Sequence, residues 1–410
     1  MAERDNQTSS RGLEPTPGAS GAMPMNEKDY LIRVMDSLAE MTQAPWNQLL
    51  AQQAHATPFM RHEYLLALEQ SGSATPRTGW SPQVITLWQG ATLQAACVLY
   101  LKTHSYGEYV FDWSWANAYQ QHGLAYYPKA VLAVPFTPVP GTRLMASSPE
   151  WRQRLLETAL RHCQKMRLSS LHLLFGSQED VQTSQALGLM TRHTVQFHWS
   201  NQDYRDFDHF LAQLSQEKRK KIRQERRKVQ TEGVTFRSAL GVAISPSDWA
   251  FFYRCYERTY LEHGNPPYLT PEFFKQQAEH QAQSWLMFIA ERQGQPIAAS
   301  LIGLLDEEQG KRTAYGRYWG ALERVDCLHF EACYYQPLQW CIEHGFDSFE
   351  GGAQGEHKMA RALLPTDTPS THWLAHPAFA EAVQDFLQRE GAGMENYLQD
   401  LQKHTPFRAP

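Results

Sequence analysis

The sequence repeats itself at long range. Residues 87–101 spell LWQGATLQAACVLYL and residues 290–305 spell AERQGQPIAASLIGLL. Each is an apolar stretch broken by a glycine-bearing turn, the pattern of a tight antiparallel hairpin. Helical periodicity precedes each hairpin, and strand-like segments, an amphipathic helix and one more strand follow it. Residues 151–175 match residues 333–349 in this succession. One α/β unit used twice accounts for both halves. The expected fold class is α/β (α+β), with mixed sheets in two tandem units. A hairpin that leads into a strand–helix–parallel strand step does not build a doubly wound sheet. The chain has no GxGxxG or GxxxxGK[ST] loop, so dinucleotide and P-loop nucleotide readings have no support.

A length of 410 residues leaves room for two such units. Residues 1–27 are polar and rich in glycine and proline, and are expected to form a disordered tail. The first unit is placed at 28–203 and the second at 204–400. In the first, residues 30–55 and 58–69 carry apolar side chains at helical spacing. Residues 109–113 suggest a strand, 149–166 an amphipathic helix, and 170–175 and 191–199 strands. In the second, one long helix is expected over 204–230, a strand over 234–239 and a helix over 247–261. The hairpin at 285–305, a strand at 312–319 and a closing helix at 378–390 complete it.

A formal charge of −5 argues against a nucleic-acid binder over the whole surface, and leaves room for a local patch. Six cysteines without a CxxC pair predict buried free thiols in a reducing compartment. The sequence shows no secretory signal and no run of about 18 apolar residues, so no transmembrane segment and a cytoplasmic location are expected. Nothing in the sequence fixes the oligomeric state.

Polar chemistry concentrates in residues 326–361, DCLHFEACYYQPLQWCIEHGFDSFEGGAQGEHKMAR. A strand at 326–330, a helix at 331–344 and an extended segment at 346–349 ending in Gly351-Gly352 are expected. Strand C-termini in open α/β sheets are the usual place for a ligand. His329 and Glu331, two positions apart, would share one face of the first strand. Glu331 and Glu356 are candidates to orient or deprotonate an amine, and His329 and His357 can do so nearer neutrality. Lys358 and Arg361 suit an anionic donor, the arginine bidentately. The run from Gly351 through Gly352 and Gln354 to Gly355 lets backbone N–H groups approach a ligand. The plainer alternative is a glycine turn with surface charges. His329, Glu331 and His357 fix no third or fourth position for a metal, and none is expected.

Two further segments stand out. Residues 126–143, YYPKAVLAVPFTPVPGTR, hold four prolines around a short apolar strand, a rigid segment able to wall a groove between the halves together with Trp113, Tyr126 and Tyr127. Tyr334 and Tyr335 offer one phenol to the site. The run from Lys218 to Lys228 places eight lysines and arginines among eleven residues. It is either a solvated helix face or a phosphate binder for tRNA, coenzyme A or a lipid head group.

YYPK, VPFTPVPGTR, KRKKIRQERRKV, HFEACYY, GGAQGEHKMAR and an SxHW motif at Ser370-Thr371-His372-Trp373 occur in this order. Through them the chain, from about residue 31 to 390, resembles the FemAB-like proteins of the GNAT-type acyl-CoA N-acyltransferase superfamily. The resemblance implies two tandem GNAT-like domains and transfer of an acyl or aminoacyl group from a thioester-type donor such as acyl-CoA to a small-molecule or peptide amine. No tightly bound cofactor is implied. It also admits an aminoacyl-tRNA-dependent peptidoglycan-precursor ligase, with tRNA on the basic run, and a non-catalytic precursor-binding protein. The motifs add Arg143 and His372 to the candidate substrate contacts, beside Tyr335. One departure is Ala362, where the family pattern has glycine.

Overall fold

The structure, a computed structural model, describes residues 30–306, 310–353 and 355–408. The tail expected at 1–27 and Gln354 lie outside the described residues. The first half comprises β1 (Leu31–Met35), α1 (Gln43–Leu50), α2 (His62–Gln70), the hairpin β2 (Trp80–Gln89) and β3 (Thr92–Lys102), and α3 (Trp113–Gln121). It continues with β4 (Lys129–Leu132), β5 (Met145–Ala146), α4 (Pro149–Lys165), β6 (Ser170–Leu173), α5 (Gln178–Ala186) and β7 (Met190–Ser200). The second half opens with α6 (Phe207–Gln213), α7 (Gln216–Thr231), β8 (Val234–Leu240), α8 (Pro246–Glu262) and α9 (Pro271–His280). There follow the hairpin β9 (Trp285–Arg292) and β10 (Gln295–Leu305), β11 (Thr313–Ala321), α10 (Leu328–Phe330), a π-turn (Glu331–Tyr335) and α11 (Gln336–Glu343). β12 (Ser348–Ala353), β13 (Leu364–Leu374) and α12 (Pro377–Lys403) close the chain.

Both predicted hairpins form. Gln293 and Gly294 turn at φ 53° and 72°, the left-handed pair that matches strand twist in a two-residue loop. β4 and β6 pair in parallel across α4, and β11 and β12 do so across the α10–α11 helix. Among the described residues the strands form one continuous sheet in the order β1-β2-β3-β4-β6-β13-β7-β12-β11-β10-β9-β8. The two halves of that order mirror each other, apart from one exchange. β13, from the second half, lies against β6, while β7, from the first, lies against β12. The halves also share a core. Trp46, Phe59, Tyr64 and Trp80 pack in one cluster with Trp249, Phe252, Phe273 and Trp285. No helix among the described residues is long and apolar enough to cross a membrane, and all six cysteines are free thiols.

Several local expectations fail for identifiable reasons. Residues 31–35 are an edge strand on β2, with Ile32 and Val34 β-branched, and the helix begins only at Gln43. At 109–113 there is no strand. Tyr109 takes φ 62°, and Trp113 opens α3 instead. The long helix over 204–230 breaks at Leu214, which is extended and bridges to Phe407. Ser215 then caps α7 by accepting from the Lys218 N–H. Residues 326–330 are no strand either: Cys327 sits at φ 68° and the helix starts at Leu328. β13 went unforeseen because Pro365 and Pro369 argue against an interior strand.

Candidate active site

The site originates in β11. Its parallel pairing with β12 lasts three residue pairs, ending at Tyr315 with Glu350. On the other flank, Leu301 of β10 faces Tyr318 while Ile302 faces Gly316, so Arg317 is an extra residue on β11. A bulge of this kind bends its strand and increases the twist. Here β11 leaves β12 just before it, after Tyr315, and the two strands open into a cleft of about 150 Å³. Ser300, Gly316, His329, Cys333, Tyr334 and Gly351 are among the lining residues. Gly316 helps keep it open, since a Cβ there would stand 3.1 Å from Phe349 Cζ. The π-turn forms the floor. Widened turns free backbone acceptors, and the Ser300 hydroxyl donates to the Ala332 carbonyl at 2.6 Å.

His329 faces this cleft, its ring 5.5 Å from that of Trp319 and 5.6 Å from that of Tyr334. Burial, reinforced by His357, Arg361 and Lys358, lowers its pKa to about 4, so the imidazole is neutral at pH 7. Glu331 does not share that face. A two-residue step on a helix turns through roughly 200°, and Glu331 points at α7. There its Oε1 accepts from Arg226 Nε at 3.1 Å and from Gln336 Nε2 at 2.8 Å. Glu331 is thus a buried tether, and placing it beside His329 on a strand is corrected by the helix.

The anion-binding expectations for Lys358 and Arg361 are corrected too. Lys358 Nζ donates to the Gly351 carbonyl at 2.7 Å and the Gly352 carbonyl at 3.2 Å, fixing the end of β12, and burial lowers its pKa to about 8. Arg361 is buried. It pairs with Glu225 of α7 at 2.8 Å, donates to the His357 carbonyl at 2.6 Å and lies 3.6 Å above the Phe330 ring. The Tyr335 hydroxyl donates to the same Glu225 carboxylate, so it braces α7, while its neighbour Tyr334 lines the cleft. His357 is exposed beside Phe330 and Tyr334, and burial lowers its pKa first, with Arg361, Lys358 and Lys221 adding to the effect. The Glu356 side chain, like Gln354, lies outside the described residues. Gly352 and Gly355 sit at φ 72° and 100°, a path only glycine follows without strain. Ala362, where the resemblance leads to an expectation of glycine, takes φ 62°.

α7 therefore joins the site through its inner seam of Ile222, Glu225 and Val229, with Arg226 beside it. Lys220, Lys221, Arg223, Arg227 and Lys228 remain exposed.

The opposite face of β12 meets a second cavity. Alternation along the strand sends Glu350 away from Phe349 and Gly351. It looks into a space of about 470 Å³ between the halves, walled by Pro140 and Gly141, by Gln182 of α5, by His198 of β7 and by Thr366 and Thr368 of β13. This space exists because β6 pairs only with the last part of β13, from Thr371 to Leu374. The earlier part has β7 on one side alone, and Pro365 and Pro369, four apart, need no partner for a missing N–H on the other. Glu350 Oε2 is 3.9 Å from His198 Nε2 and has no hydrogen-bond partner among the described residues. Burial raises the Glu350 pKa to about 8 and lowers that of His198 to about 4. Sequence reasoning missed Glu350, Arg317 and His198. Glu350 carried one signal, as the last charged side chain before the paired glycines.

The remaining expected substrate contacts lie elsewhere. Tyr126 is buried, donating to Asp112 Oδ2 at 2.5 Å and lying 3.2 Å from His172 Nε2. Asp112 and Glu108 enclose the buried Lys129 ammonium. Tyr127 bonds Ser105 at 2.8 Å, and His372 meets His172 Nδ1 to Nδ1 at 2.7 Å. Arg143 spends its guanidinium on the Leu174, Gly141 and Val139 carbonyls and clamps the proline-rich loop. Of the groove-wall residues only Trp113 is on the surface, edge-on to Tyr106 at 5.1 Å. Tyr126, Tyr127, Arg143 and His372 are engaged in a polar core under the first half, and of the 126–143 segment Pro140 and Gly141 line the groove between the halves.

Comparison with known proteins fits this architecture. A family model described as peptidoglycan biosynthesis/recognition, FemAB-like, matches residues 37–409. No curated protein matches the sequence. Among solved structures, FemX superposes with a TM-score of 0.50 at 10% identity, over 86% of this chain and 100% of its own. The C-terminal domain of a putative lysylphosphatidylglycerol synthetase from Agrobacterium fabrum gives 0.50 at 12% identity, over 85% and 96%. L-PGS from Bacillus licheniformis gives 0.50 at 10%, over 84% and 97%. At these identities the likeness is one of fold, the mixed sheet with two mirrored halves described above. With the motifs in order, the strand split in place and the family model spanning nearly all described residues, the chain belongs to the FemAB-like family.

Proposed function

We propose that this protein is a transferase that moves an acyl or aminoacyl group from an activated ester or thioester onto an amine of a cell-wall precursor. The observation that carries this reading is the split between β11 and β12. Parting strands leave backbone N–H and C=O groups unpaired along a narrow slot, which suits an extended donor whose carbonyl needs hydrogen-bond donors as charge develops on its oxygen. His329, neutral and facing the slot, is placed to donate or accept one proton there. The family description and the FemX fold support a peptidoglycan setting. Acyl-CoA and aminoacyl-tRNA are the two donors the chemistry admits. The exposed cations of α7, with Lys221 close enough to His357 to depress its pKa, favour the one with more phosphates.

Calorimetry with coenzyme A, acetyl-CoA, a longer acyl-CoA and bulk aminoacyl-tRNA at two salt concentrations tests the reading. One of the donors is expected to bind, and Gly316→Leu, which fills the slot, to weaken it at least tenfold. Donor binding unchanged in that variant removes the slot from the mechanism. If no donor binds, a precursor-binding protein is the better description.

A further inference from the structure

The cavity on the far side of β12 belongs to neither the slot nor the basic helix. Among the described residues its lining includes two carboxylates, Glu350 and Asp367, and no lysine or arginine. Hydrogen-bonding side chains, Gln178, Gln182, Thr366 and Thr368 among them, share the rest of its wall with Pro140, Val181 and Pro369 and with two histidines, His55 and His198. Glu350 stands on the last rung before β11 and β12 part, so its two neighbours in sequence line the slot while its own side chain enters the cavity. The two spaces therefore adjoin the same three residues of β12 from opposite faces of the sheet.

We propose that this cavity is the acceptor site, that it takes a primary ammonium carried on an amide-bearing chain such as a peptide, and that Glu350 receives the ammonium proton. The inference rests on the transferase reading, which supplies the donor. Bond by bond, the Glu350 carboxylate takes H⁺ from R–NH₃⁺. The freed nitrogen pair attacks the donor carbonyl carbon across the parting strands. The C–N bond forms as the C–O bond of an aminoacyl ester or the C–S bond of a thioester breaks, and the leaving alkoxide or thiolate takes the second amine proton. Uncharged Gln and Thr side chains fit the amide backbone of such an acceptor without competing for its charge. The groups facing Glu350 are His198 of β7, Arg317 of β11 and Lys311 before it. Among the described residues neither cation forms an ion pair with it, which leaves the carboxylate for an incoming ammonium.

The test uses the full chain and Nα-acetyl-lysine amide as the probe, with donor binding measured in parallel. Wild type is expected to bind the probe, and E350Q to bind it about 10- to 100-fold more weakly, the loss of one charge-assisted hydrogen bond. Donor affinity should be unchanged in E350Q. In wild type, transfer to the probe should rise with pH through a midpoint near 8 and level off above it, and E350Q should lose that inflection. Q182W, which adds bulk from the exposed face of α5, is a second variant expected to exclude the probe without touching the buried carboxylate. Probe binding and transfer that survive both substitutions, with donor binding intact, overturn the acceptor site alone. A wild-type protein that binds no donor overturns the transferase reading and this inference with it.

Discussion

Glu225→Gln is the sharpest perturbation of the seam between α7 and the site. The Glu225 carboxylate receives Arg361 at 2.8 Å and the Tyr335 hydroxyl, and all three side chains are buried. Arg361 has no spare acceptor to turn to. Its Nε lacks a hydrogen-bond partner among the described residues, and its Nη1 donates to the His357 carbonyl. Removing one partner of a buried pair leaves an uncompensated charge and costs about 3–5 kcal/mol. Glutamine keeps the shape and one acceptor, so the lower end, about 3 kcal/mol, applies. The cost falls on the docking of α7, which can open without the sheet unfolding. Hydrogen-exchange mass spectrometry on peptides spanning 216–231 reads it directly, and about 3 kcal/mol corresponds to roughly a hundredfold faster exchange. The double variant E225Q/R361M removes both charges and is expected to recover part of that protection, because apolar replacement of a whole buried pair is often neutral. Exchange in E225Q within threefold of wild type refutes the tether, as does a double variant worse than E225Q alone.

Other outcomes follow from the same geometry. Ala362→Gly relieves a left-handed alanine and is expected to stabilise by about 1 kcal/mol, read as a higher urea midpoint at unchanged slope. His172, lowered to about 3 by burial and then Lys129, and His372, lowered well below its usual value, are both neutral in the fold. Unfolding lets them take up protons, so stability is full above the ordinary histidine range and falls as pH drops from about 6.5 toward 3. The loss is about 4–5 kcal/mol for His172, and H172Q should flatten that slope in acid titrations followed by circular dichroism. Replacing Lys220, Lys221, Arg223, Arg227 and Lys228 by glutamine should leave the melting temperature within about 2 °C. If α7 contacts tRNA, the same change should lower the slope of log affinity against log salt by about 3–4, and an unchanged slope dismisses α7 as that contact.

The repeat, the hairpins and the parallel steps were legible because period and turn chemistry are local. So was the concentration of ionisable side chains and glycines around 329–361, since such a cluster stands out in any chain. What could not be read was which side each polar group faces. His329 and Glu331 share a face on a strand and oppose each other on a helix, and three residues of difference in where the helix starts decide between the two. Lys358, Arg361 and Tyr335 have the chemistry of ligand contacts, and only the arrival of α7 and the end of β12 shows that they are already engaged. Glu350 was hidden for the converse reason. The strand split beside it accompanies a bulge one strand away, at Arg317, and a bulge leaves no mark in hydrophobic periodicity. β13 was masked by its prolines, which are tolerated because β6 does not reach them.

The exchange of β7 and β13 sets an order on the ribosome. β6 has no permanent neighbour on one side until β13 has been made, and β7 waits for both β12 and β13. Synthesis proceeds at roughly 5–20 residues per second, so the roughly 160 residues between Ser200 and Leu364 take about 8–30 s to emerge. Through that interval the nascent first half carries an open strand edge of Ser170–Leu173 backed by fully buried leucines, the kind of edge that pairs with strangers. The nascent chain is expected to need a holdase during that window, and truncations that end before β13 should aggregate even though their own hairpin and helices are complete.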